Sequence, residues 1–190
     1  MKRRTVTTLI MVLVAIGTWH VGHGAWIYVK AQLAQYLLQH AWVRTMNGER
    51  NVKPWPWADT WPVARLQAAL HGVDLIVLAG ANGRTLAFGP AVMNDGIGTN
   101  LSGTIAISGH RDTHFQFMQK LSDGDELSIE QPGQPDRVYR VTEAQVIDSR
   151  TTGIVNDPDH DRLLLVTCYP LDAIIPGGPL RYVVTAERVE

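Results

Sequence analysis

After His71 the chain breaks into seven short β-rich runs: Val73 to Ala79, Arg84 to Phe88, Thr104 to Ser108, Asp125 to Glu130, Arg137 to Ile147, Arg162 to Cys168 and Leu180 to Arg188. Gly, Pro, Asn and Asp clusters bound these runs, and β-branched residues fill them. One helical pattern interrupts them, at about His114 to Leu121. Strands in such number, without an alternating series of helices, exclude a parallel α/β sheet and predict an all-β barrel or sandwich. Asn82-Gly83 between the first two runs predicts a hairpin turn. Upstream, Pro62 follows Asp59 and Thr60 in the manner of a capped helix start, which predicts a helix from there through His71. The tryptophans of PWPWADTWP, residues 54 to 62, are expected to cap the domain core.

A second constraint lies at the N-terminus. Lys2, Arg3 and Arg4 precede a stretch from Thr5 to Val29 that has no Asp, Glu, Lys or Arg. About 20 apolar residues span a bilayer, so residues 1–29 are expected to form a membrane anchor. A cleavable signal peptide opens in the same way. Either form exports the remainder. The basic cluster predicts a cytoplasmic N-terminus, a single pass through the inner (plasma) membrane and a periplasmic, extracytoplasmic C-terminal domain. Residues 30–50 are expected to form an amphipathic helix and linker, since Leu33, Leu37 and Ala41 share one face and Gly48 to Pro56 breaks it. The catalytic domain is placed at 51–190. With 190 residues and a formal charge of −1, this is one domain with a short appendage, and no basic surface suggests nucleic acid as a partner.

The sequence contains one cysteine, Cys168, which excludes an internal disulfide and any zinc site built on paired thiolates. Cys168 ends the apolar run RLLLVTCYP. A second run ends at ISGHRDTHF and delivers His110, Arg111 and Asp112 at a strand terminus. The third, GGPLRYVV, enters a strand at Arg181. A thiol nucleophile needs an imidazole partner, and acyl transfer needs a cation or N–H donor where the oxyanion grows. His, Cys and Arg at three strand ends supply those parts.

With these residues in that order, 57 residues between His110 and Cys168 and Arg181 13 positions after Cys168, the sequence resembles the sortase family. The layout, including PWPWADTWPVARL, is similar to the marine, proteobacterial branch. The resemblance runs from about residue 50 to residue 189. It implies an eight-stranded sortase-type β-barrel with short helices, preceded here by the membrane helix. It also implies catalytic roles for His110, Cys168 and Arg181. The partners it implies are a substrate protein with a C-terminal LPxTG-like sorting signal and an amine acceptor in the envelope. In the expected mechanism Cys168 attacks the scissile carbonyl, and Arg181 and a backbone N–H near Tyr169 hold the oxyanion. His110 then donates a proton to the leaving amine.

Arg111 and Tyr169 are further candidates for substrate binding, with a surface salt bridge as the alternative for Arg111. Asp112 either orients His110 or stabilises a turn, and His114 is expected to pack or be solvated. No metal and no cofactor is expected: Asp123 and Asp125 flank Gly124 in what reads as a hairpin turn, without the downstream Glu of a calcium loop. Two other exported cysteine enzymes fit less well. An L,D-transpeptidase carries His next to Cys, whereas Val166-Thr167 precede Cys168, and a papain-like hydrolase places Cys before His. A membrane-tethered β-domain that binds an envelope partner through its Trp-rich face is the non-enzyme alternative.

Overall fold

The computed structural model describes residues 2–93, 103–153, 157, 159–173 and 177–189. The chain divides into two compact units, residues 1–37 and 38–190. Helix α1 (Lys2–Met46) supplies all of the first unit and the beginning of the second. In the first unit Leu9, Ile10, Leu13, Ile16 and Trp19 are all exposed. The helix is long and apolar enough to cross a membrane over Thr5–Met46, with a mean hydropathy of 1.6. It ends where expected, at Asn47-Gly48: the Gly48 N–H donates to Thr45 O at 3.0 Å, and Gly48 takes φ +95°, which a side chain would resist.

In the second unit eight strands close a barrel in the order β1-β2-β3-β4-β7-β8-β6-β5. They are β1 (Pro62–Ala68), β2 (Val73–Leu78), β3 (Ala91–Val92), β4 (Ile105–Ser108), β5 (Glu126–Glu130), β6 (Arg137–Asp148), β7 (Arg162–Cys168) and β8 (Leu180–Arg188). Two neighbouring pairs, β2–β3 and β4–β7, are parallel, and the rest are antiparallel. Alternate residues fill the interior: Ile105 and Ile107 from β4, Leu163 and Leu165 from β7, and Val184 and Ala186 from β8 are no more than 1% exposed. Asp161 anchors the start of β7 by accepting from Tyr139 Oη at 2.8 Å and Arg188 Nη1 at 2.5 Å.

Several local expectations are corrected. The Pro62 segment is strand β1, because Val63, Ala64, Leu66 and Ala68 are buried between β2 and β5, and two ladders outweigh a local helical pattern. Thr60 does not cap a helix; its hydroxyl donates to Ala79 O at 2.8 Å. Asn82-Gly83 is not a hairpin turn either. Asn82 Oδ1 accepts from the N–H of Arg84 and of Thr85, both at 3.0 Å, and so caps a short helix, α2 (Gly83–Leu86), where a strand was expected. The helix expected over His114 to Leu121 is a tighter 3-10 turn, Gln116–Lys120. Of the three tryptophans, Trp61 packs on the core and Trp55 meets Phe88 edge-on at 4.8 Å, but Trp57 is 83% exposed.

Candidate active site

The barrel's pleat sorts β7 into two faces. Leu163 and Leu165 face the core, while Leu164, Val166 and Cys168 belong to the outer face, where Cys168 is half-buried. In the β7–β8 ladder Cys168 stands directly opposite Arg181, and in the β6–β8 ladder Arg181 stands opposite Ile147. The Tyr169 N–H donates to Leu180 O at 3.1 Å, so the Cys168–Arg181 pair is flanked, not bridged, by ladder hydrogen bonds. Such pairs bring their side chains closest, with Cα atoms about 4.5 Å apart.

His110 reaches the same row from the other side. β4 and β7 are parallel with Ser108 level with Val166, and the Gly109 N–H extends the pairing by donating to Val166 O at 3.1 Å. Thr167 Oγ1, buried, donates to Gly109 O at 2.8 Å. His110 therefore leaves β4 beside the end of β7 that carries Cys168. The outer rim thus carries Cys168, Arg181 and Ile147 in one row, with the His110-bearing end of β4 on the Cys168 side.

Gly109 is required for steric reasons. A Cβ there would lie 2.7 Å from the Phe115 ring, and Phe115 is wholly buried in the core. The chain turns sharply above that contact, with the Phe115 N–H donating to His110 O at 3.0 Å, so the main chain of His110 is fixed while its side chain is exposed. The GHRDTHF sequence is thus a turn built around a ring packed on a glycine.

The remaining candidates divide. Arg111 is only 4% exposed and is not on the surface; its Nη1 donates to Pro170 O at 2.5 Å, its Nη2 to Ala173 O at 2.7 Å and its Nε to Asp112 Oδ1 at 2.8 Å. Its salt bridge is therefore with Asp112, whose carboxylate is exposed while the guanidinium is buried. Asp112 spends its carboxylate on Arg111, whose guanidinium holds it below the usual carboxylate range, and the charge of His110 adds to the same effect. His114 is partly buried, and burial followed by the positive charge of His110 pushes its imidazole down. Tyr169 stacks on Tyr182 with ring centroids 6.5 Å apart. The Tyr169 N–H itself is engaged by Leu180 O. Arg181 turns its Nη1 back onto Gly178 O and Leu180 O, both at 2.8 Å; Nε and Nη2 have no acceptor among the described residues.

Below the rim, on the same outer face, lies a groove of about 400 Å³. Thr104, Leu164, Val183, Thr185, Glu143 and Gln145 line it. Sequence reasoning missed these residues. The signal present was the alternation of β6 and β8, which gives the outward row a mixed polar and apolar character instead of a uniformly charged one. Asp123 to Asp125 form a turn, with Gly124 at φ +89° and Asp125 Oδ2 within 2.8 Å of His71 Nε2. Among the described residues no group of three His, Cys, Asp or Glu side chains is arranged to hold a metal ion.

Solved structures of similar fold include a Clostridium perfringens Sortase D5 transpeptidase, with a TM-score of 0.64 at 20% identity, covering 84% of this chain and 99% of that one. Listeria monocytogenes sortase A superposes with a TM-score of 0.58 at 23% identity, covering 68% of this chain and 88% of that one. At these identities the likeness is one of fold. In sequence, sortase D of Bacillus subtilis (strain 168) is 28% identical over 117 residues, 61% of this chain. The match covers 58% of that protein, less than two thirds of its length. A sortase-domain family model matches residues 66–189, from the middle of β1 to the end of β8, and takes in His110, Cys168 and Arg181: the chain belongs to the sortase family.

Proposed function

We propose that this protein is a membrane-anchored cysteine transpeptidase that cuts a C-terminal LPxTG-like sorting signal and passes the acyl group to an envelope amine. The observation that carries the reading is the shared row: Cys168 opposite Arg181 in the β7–β8 ladder, and the His110-bearing end of β4 alongside in parallel register. A groove on the same outer face reaches that row at Ile147 and is the candidate seat for an extended peptide.

The chemistry divides among three side chains. The Cys168 thiolate attacks the scissile carbonyl, and the Arg181 guanidinium, through the N–H groups not bound to its own loop, meets the developing oxyanion. Protonated His110 donates to the leaving amine as the C–N bond breaks, which leaves a thioester on Sγ. An incoming primary amine, deprotonated by the now neutral His110, attacks that thioester and releases Cys168 as thiolate. Atoms and charge balance over the cycle without a cofactor. α1 anchors the domain in the inner membrane, and the barrel works on the periplasmic, extracytoplasmic side.

The test is intact-protein mass spectrometry after mixing with sorting-signal peptides in the absence of amine. The wild-type protein is expected to gain the acyl mass on Cys168 and lose it when an amine is added. Cys168→Ala is expected to gain nothing while melting as the wild type does. Peptide turnover by Cys168→Ala would refute the assignment.

A further inference from the structure

Among the described residues Arg111 is one of two buried arginines, the other being Arg137. A guanidinium is withdrawn from water at a cost of several kcal/mol unless acceptors surround it. Its acceptors here are specific. Asp112, its sequence neighbour, takes Nε at 2.8 Å and Nη2 at 3.3 Å, while the carbonyls of Pro170 and Ala173 take Nη1 and Nη2. Those carbonyls lie in the turn that leaves Cys168. A second tie comes from the 3-10 turn, where Gln119 Nε2 donates to Leu171 O at 3.1 Å.

The consequence is a pair of attachments on the two sides of the thiol and imidazole. On the sheet side, Gly109 is bonded to Val166 and Thr167, which sets β4 against β7 just before His110 and Cys168. On the far side, the residue after His110 is fastened to the second and fifth residues after Cys168. The guanidinium also lies close enough to Cys168 for a thiolate's charge to act on it, alongside those of Asp112 and Asp172.

We propose that Arg111 is a positioning residue for the reaction, strapping the turn after Cys168 to the chain that bears His110 so that thiol and imidazole keep one separation, and that it does not touch the peptide. The proposal rests on the assignment of Cys168 and His110 above. Lysine cannot replace it: an ammonium has no planar fork to reach a carboxylate and two carbonyls at once.

Arg111→Lys in the full chain tests this. With amine saturating and rates normalised to titrated thiol, kcat is expected to fall about tenfold or more, as small misplacements of reacting groups cost, with KM little changed. Backbone hydrogen exchange over residues 169–173 is expected to quicken. A raised KM with kcat intact would make Arg111 a substrate contact and overturn the proposal. Unchanged kcat per folded molecule, or unchanged exchange, would overturn it too. Should Arg111→Lys fail to fold, Asp112→Asn weakens the same fork from the exposed side, and kcat is expected to fall in the same direction by a smaller factor. A wild-type protein that forms no thioester would defeat the assignment of function, while the exchange measurement would still report on the strap.

Discussion

Arg111 and Arg181 flank the same thiol, yet one is sealed and the other open. Arg111 is buried, with a carboxylate and two backbone carbonyls arrayed around its fork. Arg181 is partly exposed at the mouth of β8 and uses one nitrogen to brace itself on Gly178 and Leu180, leaving Nε and Nη2 without described partners. A cation whose donors are consumed inside the fold serves the fold's geometry; one with donors to spare can meet charge that appears only during reaction. The difference is one of accounting for N–H groups, and it assigns two chemically identical side chains to different tasks.

The largest expected effect falls on the open side. Arg181→Ala is expected to lower turnover by about a hundredfold, some 3 kcal/mol of transition-state stabilisation, as loss of one oxyanion donor does. Steady-state kinetics with saturating amine measure it, and Arg181→Lys is expected to recover only a part. A raised KM at wild-type turnover would instead make Arg181 a peptide-binding residue and dissolve the contrast with Arg111.

A middle-sized effect sharpens the sealed side. Gly109→Ala forces a methyl onto the buried Phe115 ring and is expected to destabilise the domain by about 1–3 kcal/mol, the usual cost of overpacking. Denaturant unfolding measures that loss. Turnover per folded molecule is expected to drop as well, because the main chain that yields is the one that carries His110. Wild-type turnover at reduced stability would show that the turn's geometry is not needed for the chemistry.

The smallest effect concerns pH. Arg111 holds the Asp112 carboxyl below its usual range, first through their hydrogen bonds. The stability this contributes is fully present above the ordinary Asp value of about 3.9 and is lost as pH falls through the lower folded value. Asp112 is an exposed carboxylate, so the change is expected to be slight. Melting temperature followed from neutral pH down through that range should fall more for wild type than for Asp112→Asn. Parallel curves would mean the carboxylate adds nothing to the strap.

How far these features could be read from the sequence depended on where the stabilising partner lies. β7 and β8 were legible to their end residues, because RLLLVTC and LRYVVTAER are uninterrupted strand formers bounded by Asp161, Pro170 and Pro179. The eight-stranded barrel followed from the resemblance and agrees with the observed topology. The segments misread were those where a local pattern fits two structures. Pro62 suits a helix start or a strand edge, and only pairing with β2 and β5 decides it. Asn82 suits a turn or a cap, and the same side-chain oxygen serves both. The role of Arg111 was hidden for another reason. Its distant partners are main-chain carbonyls 59 and 62 residues away, and a carbonyl has no letter in the sequence. The groove was hidden likewise, since it gathers residues from five stretches of chain that only the closed barrel makes neighbours.

The parallel pairing of β4 with β7 has a consequence in time. Ile105 meets Leu163 across 58 positions of chain, and the four residues of β4 all pair with β7 at that separation, so that the His110 end comes to lie beside the Cys168 end. Contacts so remote in sequence form late, after the entropy of closing the intervening loop has been met. Placing the His110 end of β4 beside the Cys168 end of β7 is therefore a product of barrel closure and not of local folding.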